Sequence, residues 1–241
     1  MSTTNKHTDP TVFPSDRIEL VSPGSPWAVP VLFMVLGLAC LTIDLPVATY
    51  FRGPSFPRFL EEAIENTEPW GHGVGAALAL LGVWSLDHRR RRLIPWLAGA
   101  SLGAGLLANL GKLLVSRTRP RDFSPDVVLS DMAVWDTFTS WLPILNGHRG
   151  GQSFPSAHTT TAFGLSCFLV AMYPQGRWYF GLLATLVALQ RVRSQAHFPS
   201  DVCYGAALGW IVAQACLAGA RRTESIRPET RNAAGAAAFS D

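Results

Sequence analysis

Three separated stretches of the chain combine cations, imidazoles and a carboxylate in a way that suits one kind of ligand, a tetrahedral anion. Lys112 and Arg119 precede Pro120; Ser156, Ala157 and His158 follow Pro155; Arg191, His197 and Asp201 complete the set. Arginine matches phosphate oxygens bidentately and lysine adds a point charge. Lys112, Arg119 and Arg191 would therefore surround a phosphoryl group with donors and stabilise the charge on its equatorial oxygens during transfer. Taken singly, each of these cations has an equally good reason to sit at a membrane helix end, where it snorkels to the interface. Ser156 stands before an apolar run as an N-cap, and the first free amides of that helix would point at the same anion. His197 is the candidate nucleophile, attacking phosphorus to form a phosphohistidine that water then hydrolyses. Asp201, four residues on, would accept the distal imidazole proton if the chain turns helically there, fixing the tautomer that exposes the attacking nitrogen.

The elements that must position these residues are apolar. Of 241 residues, 48% are hydrophobic and only 15% charged, too little charge for an exterior that faces water throughout. Six apolar segments run from about Trp27 to Leu45, Trp70 to Leu86, Leu93 to Val115, Ser156 to Tyr173, Trp178 to Val192 and Asp201 to Ala220. A soluble helical bundle would show polar stripes at helical spacing, yet Leu93 to Leu110 and Tyr179 to Leu189 are almost uncharged all round. The expectation is an all-α membrane protein, a six-transmembrane-helix bundle. Its second and fifth segments are short for a bilayer and need flanking residues or tilt. Glycines 99, 103, 105 and 111 would let helices approach closely in lipid, and Trp27, Trp70, Trp96 and Trp178 would serve as interfacial anchors. The stretch Val127 to Leu142 is apolar but interrupted by Asp131 and Asp136, and reads as interfacial or re-entrant.

The domain division follows: residues 1–26, rich in Thr, Ser, Pro and charge, form a flexible cytoplasmic leader with no cleavable signal; 27–220 form the membrane unit, with an outer loop at 121–154; 221–241 form a cytoplasmic tail. The loop Asp87 to Arg92 holds four consecutive arginines and is the best candidate for the cytoplasmic side. Alternation from there gives eleven basic residues inside against nine outside, a thin margin that improves if the outer arginines are held there by function. It also brings the three chemical stretches to one outer face. Asp44, near the end of the first segment, needs no buried partner on this reading, and Asp122 would brace the arginine loop. Cys40, Cys167, Cys203 and Cys216 stand singly in apolar runs and read as small hydrophobes.

The pattern resembles the type 2 phosphatidic acid phosphatase superfamily, whose signature is K-x6-RP, then PSGH, then SR-x5-H-x3-D. Here Lys112-x6-Arg119-Pro120 matches in full, Pro155-Ser156-Ala157-His158 carries Ala157 for glycine, and Arg191-x5-His197-x3-Asp201 is preceded by Gln190 where the family has serine. Gln190 puts one phosphate hydrogen bond in doubt, although its amide can donate. The resemblance spans Lys112 to Asp201 by motif and implies His197 as nucleophile, Asp201 as its partner and His158 as the acid that protonates the leaving group. Lys112, Arg119, Ser156, Ala157 and Arg191 would bind the phosphate. It also implies metal-independent chemistry with no cofactor, in a multi-pass protein of the bacterial cytoplasmic (inner) membrane whose site faces the periplasm or cell exterior.

A phosphate site at the membrane edge calls for a substrate with a polar head and a tail left in lipid: phosphatidic acid, phosphatidylglycerol phosphate, undecaprenyl diphosphate or a lipid A phosphate. The loop 121–154 is long enough to act as a recognition lid. Interception of the same covalent intermediate by an alcohol would make the protein a lipid phosphotransferase. A non-catalytic transporter or lipid-binding protein is the alternative of a different class. Two histidines with Asp201 are a conceivable zinc set, but three nearby cations repel a metal. The net charge of +3 comes without a lysine-rich face, which excludes a nucleic-acid partner, and no obligate protein partner is implied. Soluble vanadate haloperoxidases share the superfamily, but the continuous apolar segments exclude that variant; vanadate is expected to inhibit by mimicking five-coordinate phosphorus.

Overall fold

The helix that begins at Ser156 is the hub around which the chain is organised. In the computed structural model, which describes residues 18–53, 56–146 and 151–226, each apolar segment contains a helix. We label these α1 (Ala28–Cys40), α2 (Asp44–Tyr50), α3 (Arg58–Glu65), α4 (Gly73–Leu86), α5 (Arg91–Gly111), α6 (Ala157–Met172), α7 (Arg177–Arg193) and α8 (Pro199–Ile226). Helix α6 packs against α8, α7, α5 and a 3-10 turn at Glu68–Gly71, while α1 lies along α8. Most of α6 is buried, and Leu165, Phe168, Leu169 and Met172 join Leu93, Leu97 and Leu217 in the main core. Backbones come close where side chains are small. A Cβ on Gly209 would lie 2.4 Å from the Thr160 carbonyl oxygen, and one on Gly105 would lie 2.2 Å from Thr161 Oγ1. Gly105 therefore serves as anticipated, whereas a Cβ on Gly103 would meet no other element.

The outer surfaces of the helices are apolar. Val31, Leu32, Val35 and Leu38 on α1, Leu78, Leu81 and Leu86 on α4, Leu106 and Leu110 on α5, and Trp178 and Leu182 on α7 are all exposed. In water such a band would be an aggregation surface; in a bilayer it is the lipid contact, and the protein is a membrane protein. By length and composition α5 and α8 are able to cross a membrane, and α1 with α2 makes a third span if the bent pair counts as one. Helices α4 and α6 are apolar but shorter.

Several expectations change. The first segment is not one straight span: α1 and α2 are bent by 72° at a break before Asp44. The chain is mostly helical, not all-α, because Val115–Arg117 (β1) pairs antiparallel with Phe138–Trp141 (β2). The stretch from Val127 to Leu142 forms 3-10 turns and then β2. Trp27 and Trp178 are exposed as anchors should be, but Trp70 stacks on Phe180 and donates to Ser166 Oγ at 2.9 Å, and Trp96 packs over Gly219. Residues 18–26 run along the bundle: Val21 N donates to Ala171 O at 3.1 Å, and Trp210 Nε1 to Ser25 O at 3.2 Å. The rest of the leader (1–17) and the tail beyond 226 lie outside the described residues, as do Arg227, Arg231, His7 and, in the long loop, His148. Cys40 and Cys203, distant in sequence, face each other as thiols with their sulfurs 4.0 Å apart.

The polar groups divide between two ends. At one, Arg90 pairs with Asp87 at 2.7 Å, Tyr173 Oη donates to the same carboxylate, and Arg92 meets Glu224 at 2.8 Å. The other end holds the chemical residues.

Candidate active site

His197 sits in the connection between α7 and α8, and local backbone geometry explains its spacing from Arg191. The last turn of α7 closes back on itself, so that Ala196 N and His197 N both donate to the Arg191 carbonyl oxygen, at 3.2 and 3.1 Å. Gln195 adopts a left-handed φ of 56° to allow it. His197 is thereby turned inward and is only 4% exposed. Its Nδ1 lies 2.6 Å from the Ser153 carbonyl oxygen. A carbonyl only accepts, so Nδ1 carries the proton and Nε2 keeps its lone pair.

The direct His197–Asp201 contact expected from their spacing is not made as a hydrogen bond. Asp201 Oδ2 is 3.9 Å from Nδ1 and instead accepts from the Ser153 hydroxyl and, at 2.9 Å, from Phe198 N. Asp201 is thus linked to the imidazole through Ser153 and Phe198 instead of by a direct bond. The physical reason is that Asp201 lies in the first turn of α8, where the free amide of Phe198 and the Ser153 hydroxyl are closer donors.

Asp201 Oδ1 takes its other bond from Arg117, which the sequence reading passed over. The Arg117 guanidinium is fully buried between the rings of Phe138 and Phe198, 4.5 and 4.1 Å from their centroids. It donates to Thr137 Oγ1 at 2.9 Å, to Ser200 Oγ at 2.7 Å and to Asp44 Oδ2 at 2.6 Å. Asp44 is therefore not a boundary residue free of partners. It is fully buried and also accepts from Ser200 N at 2.9 Å and from the Ser200 hydroxyl. The available signal was an acid inside an apolar segment, which demands a base from elsewhere in the chain.

The three anticipated cations all act electrostatically on His197. Burial, with Lys112 and Arg119 next and Arg191 adding to them, holds its pKa well below the usual 6.5, against the pull of the Ser153 carbonyl. Lys112, just past the end of α5, is itself pushed down to about 8, first by burial and then by Arg119, with Asp201 opposing. Burial also lowers Arg119, as do Arg121 and Arg191, against Asp122. Asp122 is 3.9 Å from Arg121 and both are about half exposed, so the brace is loose.

Ser156 caps α6, its hydroxyl accepting from Thr159 N at 3.4 Å, and its own amide donates to the Asp201 carbonyl oxygen at 3.2 Å. Ala157 opens the helix and His158 follows it. His158 Nε2 stands 3.7 Å from Glu68 Oε1, and the same oxygen takes a 2.8 Å bond from Arg191 Nη2. Glu68 and His72, whose ring centroid is 5.7 Å from that of His158, were not anticipated. Both line a cleft of about 350 Å³ with Glu65, Asn66, Pro69 and Val74. Gln190 does not reach for an anion with its amide: Nε2 donates to Glu65 at 2.7 Å, and Oε1 accepts from Arg191 Nε. It orients the arginine from behind. Arg193 is held by Glu61 and Glu65 of α3, a helix the apolar pattern did not reveal.

A helical bundle that gathers a buried neutral imidazole, a second histidine and three cations at one end is, as a class, a membrane protein with a cationic, imidazole-bearing site. The PAP2 superfamily profile matches residues 93–224, more than half of the chain, and the protein belongs to that superfamily. Among curated proteins it is 36% identical over 106 residues to a lipid A 1-phosphatase of Rhizobium etli, covering 44% of this chain and 41% of that one. It is 33% identical over 100 residues to a lipid A 4'-phosphatase of Bacteroides thetaiotaomicron, covering 40% and 39%. The chain thus spans about two fifths of the length of these relatives. Among solved structures it resembles a transmembrane PAP2-type phosphatidylglycerolphosphate phosphatase of Bacillus subtilis, with a TM-score of 0.54 and 19% identity over 84% of this chain and 98% of that one. This likeness concerns the fold.

Proposed function

We propose that the protein hydrolyses a phosphomonoester or diphosphate on a membrane lipid through a phosphohistidine on His197. The observation that carries this reading is the carbonyl-held Nδ1 of His197, which leaves Nε2 unprotonated among Lys112, Arg119 and Arg191. The Nε2 lone pair attacks phosphorus as the bond from phosphorus to the ester oxygen breaks. That oxygen takes a proton from His158. Water then attacks the phosphohistidine, giving a proton back to His158, and the P–N bond breaks to release inorganic phosphate. Lys112, Arg119 and Arg191 hold the equatorial oxygens, with the Ser156 hydroxyl and the free amides at Ala157 and His158 beside them. Asp201 orients the nucleophile.

Residues 27–220 form a six-pass unit on this reading, with α4 and α6 completing their crossings through flanking turns and thinning of the bilayer. The Asp87–Arg92 loop faces the cytoplasm, and the site opens at the periplasmic side of the inner membrane. The loop 121–154 caps it. The names of the two relatives favour lipid A phosphates as the first substrate class, ahead of phosphatidic acid, phosphatidylglycerol phosphate and undecaprenyl diphosphate. The test is phosphate release from these four lipids by purified wild type and His197→Ala. Release by wild type alone is expected. Equal release by both removes the nucleophile, and a modified acceptor lipid in place of free phosphate identifies a transferase.

A further inference from the structure

Arg117 closes a ring of contacts around the nucleophile. Its carbonyl oxygen accepts from Ser153 N at 2.9 Å, and its own amide donates to Gly151 O at 3.3 Å, so its backbone fixes the segment that carries the Ser153 carbonyl. That carbonyl holds His197 Nδ1, and the next residue, Phe198, donates its amide to Asp201. Asp201 returns to the Arg117 guanidinium and to the Ser153 hydroxyl. Asp44, from α2, ties the second arm of the guanidinium to Ser200 at the start of α8. Arg117, Asp44, Ser153, Ser200 and Asp201 are fully buried.

We propose that Arg117, braced by Asp44, is a positioning residue that aims the Ser153 carbonyl and Asp201 at His197 and so keeps its imidazole in the Nδ1–H form. The inference deepens the phosphatase reading and rests on it for the role of His197. Only a planar fork reaches two carboxylates and a hydroxyl from one side chain; a lysine offers a single point charge. The arrangement also gives α2, which lies outside the segment matched by the superfamily profile, a direct part in the site through Asp44. Orienting partners one step behind a catalytic or metal-bound histidine typically contribute ~10–100-fold in activity.

The test compares wild type with Arg117→Lys, Asp44→Asn and Ser153→Ala, the last removing one hydroxyl while keeping the carbonyl. Two readouts are taken on folded protein in detergent: kcat and KM for phosphate release, and the ¹⁵N imidazole shifts of His197, which report the tautomer without any turnover. Arg117→Lys and Asp44→Asn should lower kcat about 10–100-fold with KM little changed, and shift His197 from pure Nδ1–H towards a mixture. Ser153→Ala should move both readouts the same way by a smaller amount, and decides the matter if the other two fail to fold. Unchanged kcat and an unchanged tautomer in the variants that fold overturn the proposal. Wild type that releases no phosphate yet shows the tautomer shift in its variants would instead sink the phosphatase reading and leave the positioning role standing.

Discussion

The Nδ1 proton of His197 is held by the backbone carbonyl of Ser153 across 2.6 Å, while the carboxylate of Asp201 stays 3.9 Å away. A backbone acceptor cannot titrate, so the tautomer survives changes of pH that would neutralise a carboxylate. The His197 imidazole is thereby separated from the charge of Asp201, which is occupied with Arg117.

Burial and the neighbouring cations depress the pKa of His197, so the neutral, nucleophilic form persists below pH 6.5 and is lost only as pH falls through the lowered value. The acid limb of kcat/KM is therefore expected below pH 6.5, and Arg119→Ala should move it upward by removing one repelling charge. A wild-type limb at or above 6.5, unmoved in Arg119→Ala, contradicts this.

Lys112 titrates at about 8, so its charge is present below that pH and disappears above it. kcat/KM should fall as pH rises through ~8 because an anion ligand is lost, and Lys112→Arg should abolish that alkaline limb. An identical limb in the arginine variant assigns it to another group.

Glu68 occupies Arg191 and lies beside His158, where a substrate phosphate would have to compete with its carboxylate. Glu68→Gln should tighten inhibition by inorganic phosphate about three- to fivefold, the worth of one partly exposed ion pair. Arg191→Ala should lower kcat about 100-fold or more. Weaker phosphate inhibition in Glu68→Gln would show that the carboxylate helps to build the anion site.

The close approach of α6 and α8 gives a stability prediction independent of catalysis. Gly209→Ala places a methyl 2.4 Å from the Thr160 carbonyl oxygen and should cost ~1–3 kcal/mol. Gly181→Ala, with nothing within 4 Å of the new methyl, should be neutral or stabilise by ~0.5–1 kcal/mol. Thermal unfolding in one detergent checks the order of the two midpoints.

The sequence alone determined that the chain is a membrane protein and which residues carry the motif. Both properties are local: an apolar run declares itself by composition, and Lys112 to Asp201 keep family spacing along the chain. It located the six helical segments for the same reason. It did not anticipate the 72° bend, because a helix break before Asp44 leaves the apolar run continuous. Nor did it reveal α3, whose charged residues conceal a surface helix, or the β1–β2 pairing, which joins residues more than twenty apart through backbone groups.

Tertiary structure alone decided how the site is supported. Arg117 and Asp44 are 73 residues apart; Arg117 falls at an unspecified position between Lys112 and Arg119, and Asp44 lies outside all three motifs. Their pairing follows because burying either charge without the other is too costly in a low-dielectric interior. The same desolvation sets the charge state of His197. His197 was legible within one motif, but the groups arranged around it and Asp201 come from α2, β1, the stretch at Ser153 and the start of α8, which only folding brings together.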